Sequence, residues 1–182
     1  MKSKFLNNIA VALILIALAV ISRLIPHLWN FTSVGAVILF STFYFKNKQI
    51  SYLIPLAIIM ISDLCLLYFQ NKPLASIGIY ICFLLYIPLG SLIIKEVKTK
   101  NIALAGISGA TLFFITSNFL VWIPGTMYPL SLSGLITCYT AAIPFFLNHI
   151  AGNLFWSFMI FGIYQISVNS TKNLYLDNRN NY

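Results

Sequence analysis

Four side chains stand out for the chemistry they carry into unfavourable surroundings. Arg23, Asp63, Asn118 and Asn153 each sit in or at the end of a long apolar run. A charged or amide group in hydrocarbon is costly, so each must either pair with another buried group or meet a ligand. Asp63 is the only acidic residue inside such a run, because Glu96 and Asp177 lie in polar segments. His27, Trp29 and Asn30 cluster just after the first run, Trp122 and Asn148 sit at the ends of later runs, and Tyr128 lies between those two. Amides that hydrogen-bond and aromatics that stack, set in apolar walls, are the ingredients of a small-molecule pocket. Helical spacing puts Asn148, Gly152 and Trp156 on one face, with His149 and Asn153 on the adjacent strip.

Every one of these residues also has a plainer reading. Arg23 can snorkel to head groups, and Asp63 can be a structural partner of Arg23 or Lys72. The aromatics suit an interfacial belt, and Asn118 and Asn153 suit interhelical hydrogen bonding. His27 and His149 have no second metal ligand spaced nearby. Cys65 fits a small buried apolar residue. The functional reading therefore rests on the cluster.

Catalysis is poorly supplied. The chain has no Walker A sequence, no HExxH, no GxSxG and no paired carboxylates. One intramembrane acid does not make a proton relay. Cys65, Cys82 and Cys138 show no CxxC spacing, which argues against zinc and disulfides. The expectation is a non-enzyme without cofactor or resident metal.

The elements that must position these residues are membrane helices. Of the 182 residues, 60% are hydrophobic and 8% charged, where a soluble domain is about one-quarter charged. Apolar runs of spanning character cover Phe5–Ile25, Thr32–Phe45, Ile50–Phe69, Ile77–Ile94, Ile102–Ile123 and Leu147–Val168. Met127–Phe146, interrupted by Pro129, Gly134 and Pro144, reads as a re-entrant or interfacial loop with a short helix. The start resembles a signal peptide, but its apolar run is long enough to read as an uncleaved first span. The fold expected is an all-α polytopic bundle of about six transmembrane helices. It forms one domain over 1–168, with a polar cytoplasmic tail over 169–182. Ala105/Gly109 and Gly106/Ala110 mark a close-packing face on the fifth span.

The net charge of +8 does not indicate nucleic acid, because the basic residues sit in short loops and form no basic face. They read as topology markers. With the amino terminus inside, Lys2, Lys4, Lys46, Lys48, Lys95, Lys98, Lys100, Lys172 and Arg179 fall inside, nine against Arg23 and Lys72 outside. Both ends are then cytoplasmic, in a bacterial inner membrane. At 1.5 Å per residue, Asp63 lies about 20 Å up from Ile50, Arg23 about 27 Å up from Phe5, and Asn118 about 24 Å up from Ile102. Asn153 lies about 22 Å up from Val168 on the same scale. All four are thus expected in the outer third of the membrane.

Arg23-Leu24-Ile25-Pro26-His27 and Asn30-Phe31-Thr32-Ser33-Val34-Gly35-Ala36 resemble the opening of an uncharacterised family of small bacterial membrane proteins. Ser62-Asp63-Leu64, Met127-Tyr128-Pro129, Pro144-Phe145-Phe146, Asn148 and Gly152-Asn153 resemble its later motifs. That family is similar to the substrate-binding S components of energy-coupling-factor transporters. The resemblance implies six helices, an outward-facing vitamin site, and a coupling transmembrane subunit with ATPases as partner. S components often carry an alanine-xxx-alanine grip on the first helix, whereas Ala10, Ala12, Ala17 and Ala19 give no such pair. That departure from the family pattern leaves a solitary form, like that of the cobalamin-transporting relatives, as the alternative to the shared module; in those a cysteine can meet cobalt, and Cys65 is the candidate to test. The function expected is binding or transport of a small vitamin-like nutrient in membrane lipid, through Arg23, His27, Trp29, Asn30, Asp63, Asn118, Trp122, Tyr128, Asn148 and Asn153. The alternative is a structural or assembly protein of the cell envelope whose polar cluster only locks helices together.

Overall fold

A computed structural model describes residues 2–45 and 47–180, with side chains for 8–45, 47 and 49–170. Of the basic topology markers, Lys46 lies outside the described residues, as do the side chains of Lys2, Lys4, Lys48, Lys172 and Arg179. The described chain is entirely helical: α1 Lys2–Leu24, α2 Val34–Tyr44, α3 Lys48–Gln70, α4 Ile77–Leu84, α5 Tyr86–Ile93, α6 Thr99–Trp122 and α7 Leu132–Asn180.

Among the described residues, three helices are long and apolar enough to cross a membrane: 49–70 of α3, α6, and 132–170 of α7. Where the sequence suggested six spans, the remaining apolar stretches among the described residues are shorter: α2, 77–93 across α4 and α5, and 8–24, the part of α1 whose side chains are described. The α4–α5 break at Leu85 has a local cause. Pro88 lacks an N–H and its ring crowds the carbonyl four residues back, that of Leu84.

The short helix α2 is the centre of the bundle. Val34 to Ser41 are all buried, as expected of a helix apolar on every side. It packs against α1, α3, α5, α6 and α7. Around it, Leu13, Ile14, Leu53, Tyr68, Ile77 and Ile163 face outward with roughly half or more of their surface exposed. An apolar exterior of that extent is consistent with a membrane surface.

The last part of the chain corrects the expected loop. Instead of a re-entrant segment over Met127–Phe146 and a separate helix from Leu147, α7 is continuous through Pro144 to Asn180. One proline removes a single ladder bond, and the length of apolar helix on both sides holds the register. Beyond Val168, where the sequence turns polar, the backbone stays helical.

α6 and α7 pair most extensively, as an antiparallel hairpin. Tyr139 Oη donates to the Ile115 carbonyl at 2.7 Å, and Gly106 lies against the backbone of Asn153. The small residues Ala105, Gly106, Gly109 and Ala110 are buried in the bundle and pack within the chain.

Candidate functional site

The polar residues separate into two centres on either side of one cavity. In the first, Arg23 at the end of α1 pairs with Asp63 of α3 at 2.7 Å and also donates to Ser62 Oγ. The other Asp63 oxygen accepts from the Ala75 N–H at 3.0 Å and from Tyr80 Oη at 2.8 Å. Asp63 is 2% exposed and Arg23 19%. A buried carboxylate persists only with its lone pairs engaged, and here α1, α3, α4 and the α3–α4 loop all contribute. Of the two partners the sequence allowed, Arg23 is the one used; Lys72 is exposed nearby.

The second centre is neutral. Asn153 Nδ2 donates to Tyr86 Oη at 2.9 Å, and Tyr86 Oη lies 2.8 Å from His149 Nε2. Since an amide nitrogen only donates, the Tyr86 oxygen accepts from Asn153, and the tautomer of the imidazole sets the direction of the second bond. Tyr86 is fully buried, its ring wedged between Gly35 of α2 and Gly109 of α6, where a Cβ at either glycine would overlap it. Asn153 Oδ1, packed on Gly35, has no hydrogen-bond partner among the described residues.

Between the centres lies a cavity of about 490 Å³. It occupies the space beyond the amino-terminal end of α2, which starts deep in the bundle because the helix is short. Arg23, His27, Trp29, Asn30 and Thr32 line it from the α1–α2 segment, Gln70 and Lys72 from the end of α3, and Phe83, Phe113 and His149 from its sides. No acidic residue is among the lining residues. Asn30, Phe113 and His149 also line a 120 Å³ neighbour that reaches Asn118, and Asn118 with Tyr128 lines a third cavity of 200 Å³.

Local structure explains how the loop residues are presented. Asn30 has φ 64°, a left-handed conformation that asparagine tolerates. It closes a turn in which Phe31 N–H donates to the Leu28 carbonyl at 2.9 Å. Ser33 is stapled to Ser22 by its backbone N–H and its hydroxyl. Trp29 is left 74% exposed, its ring edge-to-face with Phe145 at 6.1 Å.

Of the residues expected at the site, Arg23, His27, Trp29 and Asn30 share the main cavity, and Asn118 and Tyr128 line the smaller ones. Asp63 and Asn153 stand behind the wall: Asp63 holds Arg23, which faces the cavity, and Asn153 holds the buried Tyr86, which in turn contacts the cavity-facing His149. Trp122 Nε1 donates to the Pro129 carbonyl at 3.0 Å and closes its own loop. Asn148 is half-buried on α7 and outside the cavity linings. Cys65 is half-buried on α3, and no group of three His, Cys, Asp or Glu side chains converges among the described residues.

The common outer layer is also corrected. Asn153 lies level with Gly106, seven residues into α6, whereas Asn118 is twelve residues further along, about 18 Å at helical rise. The expected depth took Val168 as the inner end of the last span, and the continuous α7 shifts that register.

Tyr86, Tyr80, Ser62, Gln70 and Phe113 were missed as participants. Tyr86 carried a usable signal, since a phenol in the middle of an apolar run must find a polar partner. A search of curated proteins and of solved structures returned no match. The family is shown by its profile, which matches residues 3–174: the chain belongs to DUF6580, a family of unknown function.

Proposed function

We propose that this chain is a membrane protein that binds or transports a small, vitamin-sized nutrient in the cavity beyond α2. The observation that carries the reading is the lining of that cavity. Two cations, two imidazoles, amides and aromatic rings surround about 490 Å³ with no acid among them, within the range of ligand pockets. Arg23, Lys72, His27, His149 and Asn30 supply polar contacts, and Trp29, Phe83 and Phe113 supply apolar walls. Asp63 and Asn153 act as positioning residues for Arg23 and, through Tyr86, for His149.

In this reading the helices make six crossings, α4 and α5 together counting as one, with both ends cytoplasmic in a bacterial inner membrane. The nine-to-two distribution of basic residues supports that orientation. Short helices at membrane depth are tolerated where they are enclosed by protein and line a cavity, as α2 does. The likeness of the sequence to S components supports a capture role, with a coupling subunit and ATPases as an additional partner. The reading involves no catalysis and gives Cys65 no ligand role, because it is outside the linings of these cavities.

Native mass spectrometry of protein purified from its own membranes tests the proposal, the expected result being a co-purified small molecule. Lys72→Ala and Trp29→Ala, both at exposed positions, should leave the fold intact. Loss of one charge-assisted contact weakens retention by about tenfold or more. Protein free of any bound molecule, together with undiminished vitamin uptake by both variants, would sink the reading. The saturated Asp63 carboxylate favours a second reading, a structural envelope protein. That reading expects envelope defects on loss of the protein and none in Lys72→Ala or Trp29→Ala.

A further inference from the structure

A second cavity lies at the opposite ends of α1, α2 and α3. It measures about 660 Å³ and is lined by Asn8, Thr42, Tyr44, Asn47, Lys95 and Tyr164, among others. Its volume is comparable to that of the first, and it too combines a lysine, amides, hydroxyls and aromatic rings. One face of α7 joins the two. His149 lines the first cavity and Tyr164 the second, 15 residues apart, which is about 23 Å of helix.

The residues between them on that face are not an ordinary apolar core. Asn153 is 1% exposed, Ser157 0% and Phe161 0%, and their four-residue spacing keeps them on one side of the helix. Asn153 Oδ1, Trp156 Nε1 and Ser157 Oγ are buried without a hydrogen-bond partner among the described residues. Native proteins leave a few such atoms per hundred residues, so the number is ordinary, but their concentration within five residues of one helix calls for an explanation. Toward the second cavity the seam is closed by rings. Phe40 and Phe43 of α2 meet Phe161 of α7 at 5.2 and 5.6 Å, and Phe40 and Phe43 meet Tyr164 at 5.5 and 5.8 Å.

We propose that this seam between α2 and α7 is a translocation path contained within the single chain, with the second cavity as its inner station and the Phe40–Phe161 ring cluster as its closure. The inference rests on the nutrient-binding reading and adds that the chain passes its cargo across itself. The unpartnered atoms of Asn153, Trp156 and Ser157 are the polar contacts offered on the way. A helix pair in which one member is an 11-residue segment can part without unfolding a full span.

Thiol labelling tests the path without knowledge of the ligand. With Cys65, Cys82 and Cys138 replaced by serine or alanine, Ser157→Cys is probed with an impermeant cationic methanethiosulfonate in right-side-out and inside-out vesicles. Phe161→Ala should raise the labelling rate from the Lys95 side by roughly an order of magnitude, the scale expected when a closed minor state becomes populated. Ile58→Ala, an apolar deletion in the buried core of α3, should leave it unchanged. Phe40→Ala opens the same cluster from α2 and serves if Phe161→Ala fails to fold. The proposal is overturned if Ser157→Cys stays unreactive in both folded variants, or if Ile58→Ala raises the rate equally. Because labelling needs no ligand, failure here leaves nutrient binding standing, whereas an open seam in protein that carries no bound molecule would count against the binding reading and, with it, against a cargo path.

Discussion

The Arg23–Asp63 centre and the Tyr86–His149–Asn153 centre solve the same problem in opposite ways. Both bury polar groups in an apolar bundle. The first is ionic, gathers α1, α3, α4 and a loop, and engages both carboxylate oxygens. The second is neutral, draws on α5 and α7, and leaves Asn153 Oδ1 open. A charge in low dielectric tolerates no vacancy around it, whereas a neutral amide bears the loss of one bond at about 1–3 kcal/mol. The closed centre is therefore suited to holding helices together, and the open one has capacity left for another partner.

The contrast is sharpest in the response to deletion. Asp63→Ala leaves the Arg23 guanidinium without its counter-charge and should cost about 3 kcal/mol, near the low end of the range because Arg23 is 19% exposed. Detergent-solubilised protein should show this as a fall in unfolding midpoint and in yield. The double variant Arg23→Met/Asp63→Leu should recover most of the loss; if it is as damaged as Asp63→Ala, the centre is not a simple lock.

Crowding the second centre comes next. Gly109→Ala would drive a methyl into the Tyr86 ring, and overpacking of this kind costs about 1–3 kcal/mol. A Gly109→Ala variant as stable as the parent would mean that the ring is free to move. Tyr86→Phe removes the shared hydroxyl without changing shape, so it should cost about 1–2 kcal/mol. Its signature is a larger fractional loss of ligand retention than of stability, since His149 lines the cavity. Equal losses would make the neutral centre as structural as the ionic one.

Smallest is the effect of Lys72→Ala on folding, within about 0.5 kcal/mol for a surface change. Thermal unfolding compared with binding separates the rim of the cavity from the centres behind it.

How much of this was legible varied with the range of the interaction. The pairing of Arg23 with Asp63 could be anticipated because an intramembrane acid demands a cation, and only Arg23 and Lys72 were near. Helices α3 and α6 followed from runs of apolar residues that fill a span. The continuity of α7 did not, because Gly134 and Pro144 are local signals for interruption that a long, packed helix overrides. That miss propagated, placing Asn153 level with Asn118 when it belongs beside Gly106.

By itself the sequence determined the apolar character, the helical class, the absence of familiar catalytic motifs and the set of polar residues that needed explaining. These follow from composition and local spacing, which act residue by residue. Only the tertiary structure decided that α2 is short and central, that a cavity therefore opens beyond its end, and that the polar set divides into a saturated ionic centre and an unsaturated neutral one. Those outcomes depend on which helices touch and at what register, and register is fixed by close contacts such as Tyr86 against Gly35 and Gly109 that link positions far apart in the chain.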